Sequence, residues 1–398
     1  MKFQHLFPIA LFAVFAGQVH AAAPVVSNVT FAQRTGTHLV EITYDVIADT
    51  PTVAVWLEIS SDGGTTFSVP ATTVGGAIGA GVAIGTGKTM TWDAGADWSG
   101  QYSAQMRFKV TASDRPPPLP TEFSLIPAGV FQMGDQSNPL VGGNSELPVH
   151  TVQVSAFYMG KYEVTKEEWD AVRVWGFNNG YTDLPAGGGK AANHPVHSIT
   201  WYDMVKWCNA RSEKDGLRPC YTVSGSIYKT GSNGAVECDW NVSGYRLPTE
   251  AEWEKAARGG VSGKNFPWGG DTISHSQANY YSSALTAYDV SPTRNHHPTY
   301  AVSNKPYSSP VGSFAPNGYG LYDMAGNMWE WCWDWYGSYS AGSQTDPRGA
   351  SSGSSRVYRG GSWGNGAANA RCSFRIATDP TYSNPSWVGF RPARSLVP

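Results

Sequence analysis

The stretch Asn317-Gly-Tyr-Gly-Leu-Tyr-Asp-Met-Ala-Gly-Asn-Met-Trp-Glu-Trp331 decides how the chain is read. Its end opens an alternation, Trp329, Trp331, Trp333 and Trp335, that predicts a strand with one packed face. Aromatic residues in such a row are core residues first, because each removes a large apolar area from water. A substrate-binding aromatic platform is the competing reading. From residue 260 onward the surrounding chain is rich in Gly, Asn, Ser and Trp and carries little helical pattern.

Working outward, two hydroxyl residues are each answered by a carboxylate three positions on. Thr165/Glu168 and Thr249/Glu252 have the capping-box spacing that opens a helix. The first helix carries Trp169, Val172 and Val174, and the second Trp253 and Ala256. A third is expected from Trp201 to about Glu213, with Met204, Val205 and Cys208 at helical spacing. Asp203 reads as a cap or first-turn residue complementing the helix dipole rather than as a catalytic acid. A few helices beside irregular β-structure make residues 121–395 an α+β domain.

Residues 24–114 read as β throughout. Val40–Val46, Val53–Ile59 and Gln105–Val110 alternate apolar with polar or small residues, with turn signals such as Ser61-Asp-Gly-Gly64 between them. Several short strands in such a span predict an immunoglobulin- or fibronectin-III-like sandwich, with no catalytic constellation. Arg115-Pro-Pro-Pro-Leu-Pro120 follows as a stiff linker. At the start, Lys2, the apolar run Leu6–Gly17 and Val19-His-Ala21 predict a secretory signal, residues 1–21, removed on export; an uncleaved anchor is the alternative. No later run is long enough for a transmembrane segment. A periplasmic, cell-surface or secreted location follows.

The chain has 398 residues, 15% of them charged, with 45 Gly, 16 Trp and 20 Tyr. That composition suits a loop-rich fold held by aromatic packing, and a net charge of -3 argues against a nucleic-acid partner, which would favour a basic face. The five cysteines, Cys208, Cys220, Cys238, Cys332 and Cys372, show no CxxC spacing for zinc. An odd number leaves at least one unpaired within the chain. Cys220 and Cys238 flank a Gly/Ser-rich hairpin-like stretch and are the first choice for a disulfide. His194, His197, His296 and His297 read as polar or solvated loop residues. No nucleophile elbow, H-E-x-x-H helix or P-loop is present.

The phrases of residues 121–395 resemble the formylglycine-generating-enzyme (sulfatase-modifying-factor) family. Ile126-Pro-Ala-Gly-Val-Phe-Gln-Met-Gly134, Tyr162-Glu-Val-Thr165, Gly244-Tyr-Arg-Leu-Pro-Thr-Glu-Ala-Glu-Trp253, Phe266-Pro-Trp-Gly269, the opening stretch, Arg359-Gly-Gly-Ser-Trp363 and Val388-Gly-Phe-Arg391 run in family order. The resemblance implies a C-type-lectin-like fold. It also implies a structural Ca2+ site at Asp323, the carbonyls of Gly326 and Met328, and Glu330. A second site would begin at Asn279 and Tyr280. Calcium suits such oxygen donors; the competing reading is that the two acids only cap the loop.

The family's oxidases hold copper on a C-x4-C cysteine pair just after the Gly-Gly-Ser turn, thiolates being soft ligands that favour Cu(I). Here those positions are Asn365 and Ala370, so copper is not expected. Residues 364–387 resemble instead the variable region of retroelement-diversified proteins built on this scaffold. Apart from Trp387, their residue types are all reachable from asparagine codons with altered adenines, and Lys, Glu, Gln and Met are absent. The implied ligand contacts are Gly364, Asn365, Gly366, Ala368, Asn369, Phe374, Ile376, Thr378, Asp379, Tyr382, Ser386 and Trp387, with Arg371 and Arg375 as framework. An ordinary C-terminal β-hairpin is the competing reading. The expected function is non-catalytic binding of a protein or glycan ligand; the alternative is a metal-dependent oxidase, of sulfatase-maturation type, with an atypical active site.

Overall fold

The computed structural model describes residues 24–113, 122–137, 142–232, 235–302, 304–383 and 386–396, apart from positions 66, 68, 70 and 72. The expected signal and Pro-rich linker lie outside the described residues. The chain divides into two compact units, one through residue 118 and one spanning residues 119–397.

The first unit is all-β among its longer elements. One antiparallel sheet runs Val25–Gln33, Leu39–Ile47, Gly85–Asp93, Val74–Gly76; the other runs Gly79–Ala83, Thr52–Ser60, Arg107–Ser113. Alternation decides the faces: Val40, Ile42, Tyr44 and Val46 of one strand and Val53, Val55, Leu57 and Ile59 of another are buried in a single core with Trp92. The buried hydroxyl of Tyr44 is satisfied by donating to the Ala77 carbonyl at 2.6 Å.

The second unit is mixed α+β; two of its helices start where the capping pairs predict, and the third, expected from Trp201, has a capping box of its own. Thr165, Thr200 and Thr249 each accept from the backbone N–H three residues on, at 3.1 Å, while Glu168, Asp203 and Glu252 reach back to the cap's own N–H. The helices are Lys166–Phe177, Trp201–Lys214 and Glu250–Ala257. Each such cap contributes about 1 kcal/mol. Of the apolar residues read on the first helix, Trp169 and Val172 are buried while Val174 is 62% exposed.

Two four-stranded sheets organise this unit, and the first ties its beginning to its end. In the first, Ala393–Ser395 pairs with Phe157–Gly160 and Tyr245–Arg246, and Phe157–Gly160 with Phe123–Ile126. The second has the order Arg375–Thr378, Arg356–Arg359, Trp329–Trp335, Val388–Gly389. The tryptophan strand differs from expectation: Trp329, Glu330, Trp331, Cys332 and Asp334 are all buried, so both faces are packed. Alternation places the acids opposite the tryptophans, and buried arginines and backbone amides satisfy those acids.

Candidate ligand-binding site

The helix Glu250–Ala257 explains how a charged sequence can lie in a core. Glu250, Glu252, Glu254 and Lys255 are all buried, which is tolerable only when each charge is paired. Glu252 takes two 2.7 Å bonds from Arg246. Glu254 is shared by Arg258 and Arg359. Glu250 takes two bonds from Arg375, at 2.7 and 2.6 Å. Lys255 donates to the carbonyls of Pro127, Gly129 and Val154.

Arg375 brings this network to the segment 364–387. A second pin is Arg371, whose guanidinium donates two 2.7 Å bonds to Glu146, with side chains 2% and 1% exposed. Both arginines are framework. Ala367, Ala370, Cys372 and Ser373 are buried with them. On either side of these anchors and at Phe374 between them, all twelve of the expected contact positions reach solvent, from half-buried Gly364 and Asn365 to exposed Ile376, Asp379 and Trp387. The start of the segment is held by the turn Gly360-Gly361, both at positive φ; a Cβ on Gly361 would lie 3.0 Å from the Asn369 backbone. Asn365 is fixed by bonds from Trp329 Nε1 at 2.7 Å and Ser362 Oγ at 2.5 Å to its side-chain oxygen. Ala370, at the other family thiol position, is buried in an apolar cluster with Phe266, Ile273 and Tyr280.

A neighbouring stretch adds to this surface without having been singled out by the sequence. The Tyr281 N–H donates to the Asn365 carbonyl at 2.9 Å, and ring contacts then run Tyr281–His296, His296–Tyr307 and Tyr307–Trp363 at 5.0, 4.9 and 5.4 Å. Trp363 is followed by Trp387 at 6.4 Å. His296 is therefore half-buried among aromatic rings. His297 is buried with Nε2 bonded to the His275 carbonyl at 2.8 Å, which corrects the reading of this pair as a solvated loop. His194 and His197 are likewise buried; His194 Nδ1 pairs with Ser308 Oγ, and burial holds His197 down to about 4.

The expected calcium positions lie deep beneath the opening stretch. Asp323, Gly326 and Asn327 have φ of 54°, 80° and 56°. A Cβ on Gly326 would lie 2.3 Å from the Asn279 carbonyl oxygen, so only glycine fits and the two stretches are clamped together. Asp323 Oδ2 accepts from the Gly312 N–H at 2.6 Å, while its Oδ1 is buried with no partner among the described residues. Asn279 Oδ1 is orphaned in the same way. Glu330 is engaged by two 2.7 Å bonds from Arg391 and one from Trp253 Nε1. Tyr280 donates to Asp289 at 2.6 Å, and its carbonyl meets His275 Nε2.

Sequence reading missed a third acid, Glu163. It is fully buried and accepts from the Met328 N–H and Asn327 Nδ2. Burial first, then the charges of Asp323 and Glu330, push Glu163 well up. Burial and Glu330 lift Asp323 to about 6 against the opposing Gly312 amide and Arg391. Three carboxyls thus face one guanidinium. Among the described residues no three His, Cys, Asp or Glu side chains form a metal-holding cluster. A cation at the first expected site would draw on Asp323 Oδ1 and the Gly326 and Met328 carbonyls, with Glu330 already engaged by Arg391, and one at the second on Asn279 Oδ1. Those hard, oxygen-only donors fit calcium.

All five cysteines are thiols in the structure. Cys220 and Cys238 sit side by side at strand ends: Tyr221 pairs with Cys238, and the Asp239 N–H donates to the Cys220 carbonyl at 2.8 Å. Cys332 and Cys372 are fully buried, and burial pushes Cys372 up to about 12. Neither has the exposure or the lowered pKa of a reactive thiolate. No helix among the described residues is long and apolar enough to cross a membrane.

Fold and site together define a mixed α+β domain of the C-type-lectin-like kind, with an outward segment on a buried ionic framework. Residues 109–396 match the sulfatase-modifying factor enzyme 1-like domain, and the chain belongs to that family. The formylglycine-generating enzyme of Bos taurus is 33% identical over 307 residues, 71% of this chain and 77% of its own length. "Chaperone protein LppX" of Paenibacillus barcinonensis is 35% identical over 253 residues, 61% of this chain and 82% of its own. Among solved structures, Treponema denticola variable protein 1 superposes with a TM-score of 0.53 at 32% identity, covering 69% of this chain and 94% of that one.

Proposed function

We propose that this chain is an exported, non-catalytic ligand-binding protein whose second unit is stabilised by calcium. Its N-terminal all-β unit serves as an immunoglobulin- or fibronectin-III-like spacer. The observation that carries the reading is the division of residues 364–387: twelve positions reach solvent while Arg371 and Arg375 are locked to buried acids. A surface that can vary while its supports stay fixed is what a recognition segment requires. Asn, Ser, Thr and Tyr there offer adaptable hydrogen bonds and rigid ring contacts. The structural likeness to a protein named as variable supports the same reading. So does the absence of thiols at positions 365 and 370. Export would allow the adjacent Cys220 and Cys238 to close into a disulfide.

The test is a binding screen of the mature chain against glycan and extracellular-protein arrays. It runs beside a variant with Phe374, Ile376, Tyr382 and Trp387 all changed to Ser and shown to melt within a few degrees of the parent. The proposal expects binding that the variant loses. A bound ligand that the variant retains would refute it. Stoichiometric copper or iron, with oxygen uptake on a cysteine-containing peptide, would establish the oxidase instead.

A further inference from the structure

The ring chain beside the segment has a chemistry of its own. Tyr281, His296, Tyr307, Trp363 and Trp387 follow one another at contacts of 4.9 to 6.4 Å. Their framework is rigid: Trp363 Nε1 donates to the Ser386 carbonyl at 2.7 Å, and the Tyr281 N–H to the Asn365 carbonyl at 2.9 Å. Trp387 is 36% exposed, and Tyr281, His296 and Tyr307 are half-buried. Aromatic faces carry negative quadrupole density, so converging rings make a site for a weakly hydrated cation. The chain already places one there: the ammonium of exposed Lys305 lies 5.8 Å from the Trp363 ring centre.

We infer that this aromatic cluster is a subsite for an alkylammonium group of the ligand, and that Lys305 is the internal cation it displaces. The inference rests on the reading of residues 364–387 as a ligand surface and names the chemistry of its fixed edge. Trp363, 1% exposed, lies beneath the Lys305 ammonium; Tyr307 and Trp387 contact its ring, and Tyr281 reaches it through His296. An incoming quaternary or methylated ammonium sheds less hydration than a primary one, and so outcompetes Lys305 on the same faces.

The probe is choline, read by NMR through the Trp387 indole N–H of the full chain, with that resonance assigned from Trp387→Phe. The neutral isostere 3,3-dimethyl-1-butanol has the same shape without the charge. Choline is expected to bind about five times more tightly than the isostere, within the roughly two- to thirtyfold that a cation over an aromatic face supplies. Lys305→Ala should tighten choline further, and Trp387→Ala, read through the Trp363 indole N–H instead, should abolish the difference between the probes. A trimethyl-lysine peptide binding more tightly than choline identifies a protein source for the group; the reverse identifies a free or lipid headgroup, and both outcomes support the subsite. Equal or absent shifts with choline and the isostere would overturn it, as would weaker choline binding in Lys305→Ala. Loss of ligand in a three-serine variant that keeps Trp387 is scored independently, so the two readings fail separately.

Discussion

Removing Arg371 tests whether the segment is pinned as described. Its guanidinium and the Glu146 carboxylate share two 2.7 Å bonds with almost no solvent access. Arg371→Met strands a buried carboxylate, and losing one partner of a buried pair costs about 3–5 kcal/mol. In a domain of this size each kcal/mol moves the midpoint by about 2–4 °C, so a drop of about 10 °C is expected. Glu146→Leu strands the guanidinium, whose other bond goes to Ser373 Oγ at 3.0 Å, and should cost a similar amount. The double variant removes both charges and should recover most of the loss, because an apolar replacement of a buried pair is close to neutral. Denaturant unfolding followed by tryptophan fluorescence is the assay; only Trp56, Trp92 and Trp98 lie in the first unit, so the signal reports mainly on the second. A coupling energy above about 2 kcal/mol is expected. Additive single losses below about 0.5 kcal/mol each would show that the pair is open in solution and that the segment is not anchored there.

Calcium at 100 times its dissociation constant should stabilise the chain by about 2.7 kcal/mol, read as a higher melting point reversed by chelator and lost in Asp323→Ala. Magnesium should do less, because it demands a stricter octahedron than carbonyls on a turn supply. Gly326→Ala should cost several kcal/mol, its Cβ falling 2.3 Å from the Asn279 carbonyl oxygen. Gly364→Ala and Gly366→Ala, with nothing within 4 Å, should stay within about 0.5 kcal/mol in the same melts. Acid should weaken the fold through His197, whose pKa is depressed in the folded state to about 4. The unfolded chain binds that proton first, so stability is full above about pH 6.5 and falls as pH drops toward 4, by about 3 kcal/mol at most. His197→Gln should flatten that part of the stability–pH curve.

The elements legible in sequence were those specified locally. A hydroxyl and a carboxylate three residues apart fixed two helix starts, apolar spacing the third, and alternation in Val40–Val46 a sheet face, because these signals act within a few turns or one strand. The buried ionic framework was not legible in that way. Glu250 meets Arg375 and Glu146 meets Arg371 across more than a hundred residues, and nothing near either acid announces its partner. The same long reach explains why Trp329–Trp335 was read with one wet face: Glu330 is buried because Arg391 comes back to it. Glu163 escaped notice inside a framework phrase, where only the fold shows it facing Asp323 and Glu330. The ring chain through Tyr281, His296 and Tyr307 has no period at all; its members meet because loops cross, and adjacent histidines in a loop carry no signal of burial.

The most direct test of the central claim is a displayed library of the full chain, with residues 364–387 randomised one position at a time and scored by protease resistance. The account predicts two classes. Positions 364, 366, 368, 369, 374, 376, 378, 379, 382, 386 and 387 should accept most side chains, while Ala367, Ala370, Arg371, Cys372, Ser373 and Arg375 should accept few, as should Asn365, whose side-chain oxygen accepts from Trp329 Nε1 and Ser362 Oγ. Equal intolerance across both sets would contradict it, making the segment an ordinary packed hairpin rather than a recognition surface held on a fixed frame.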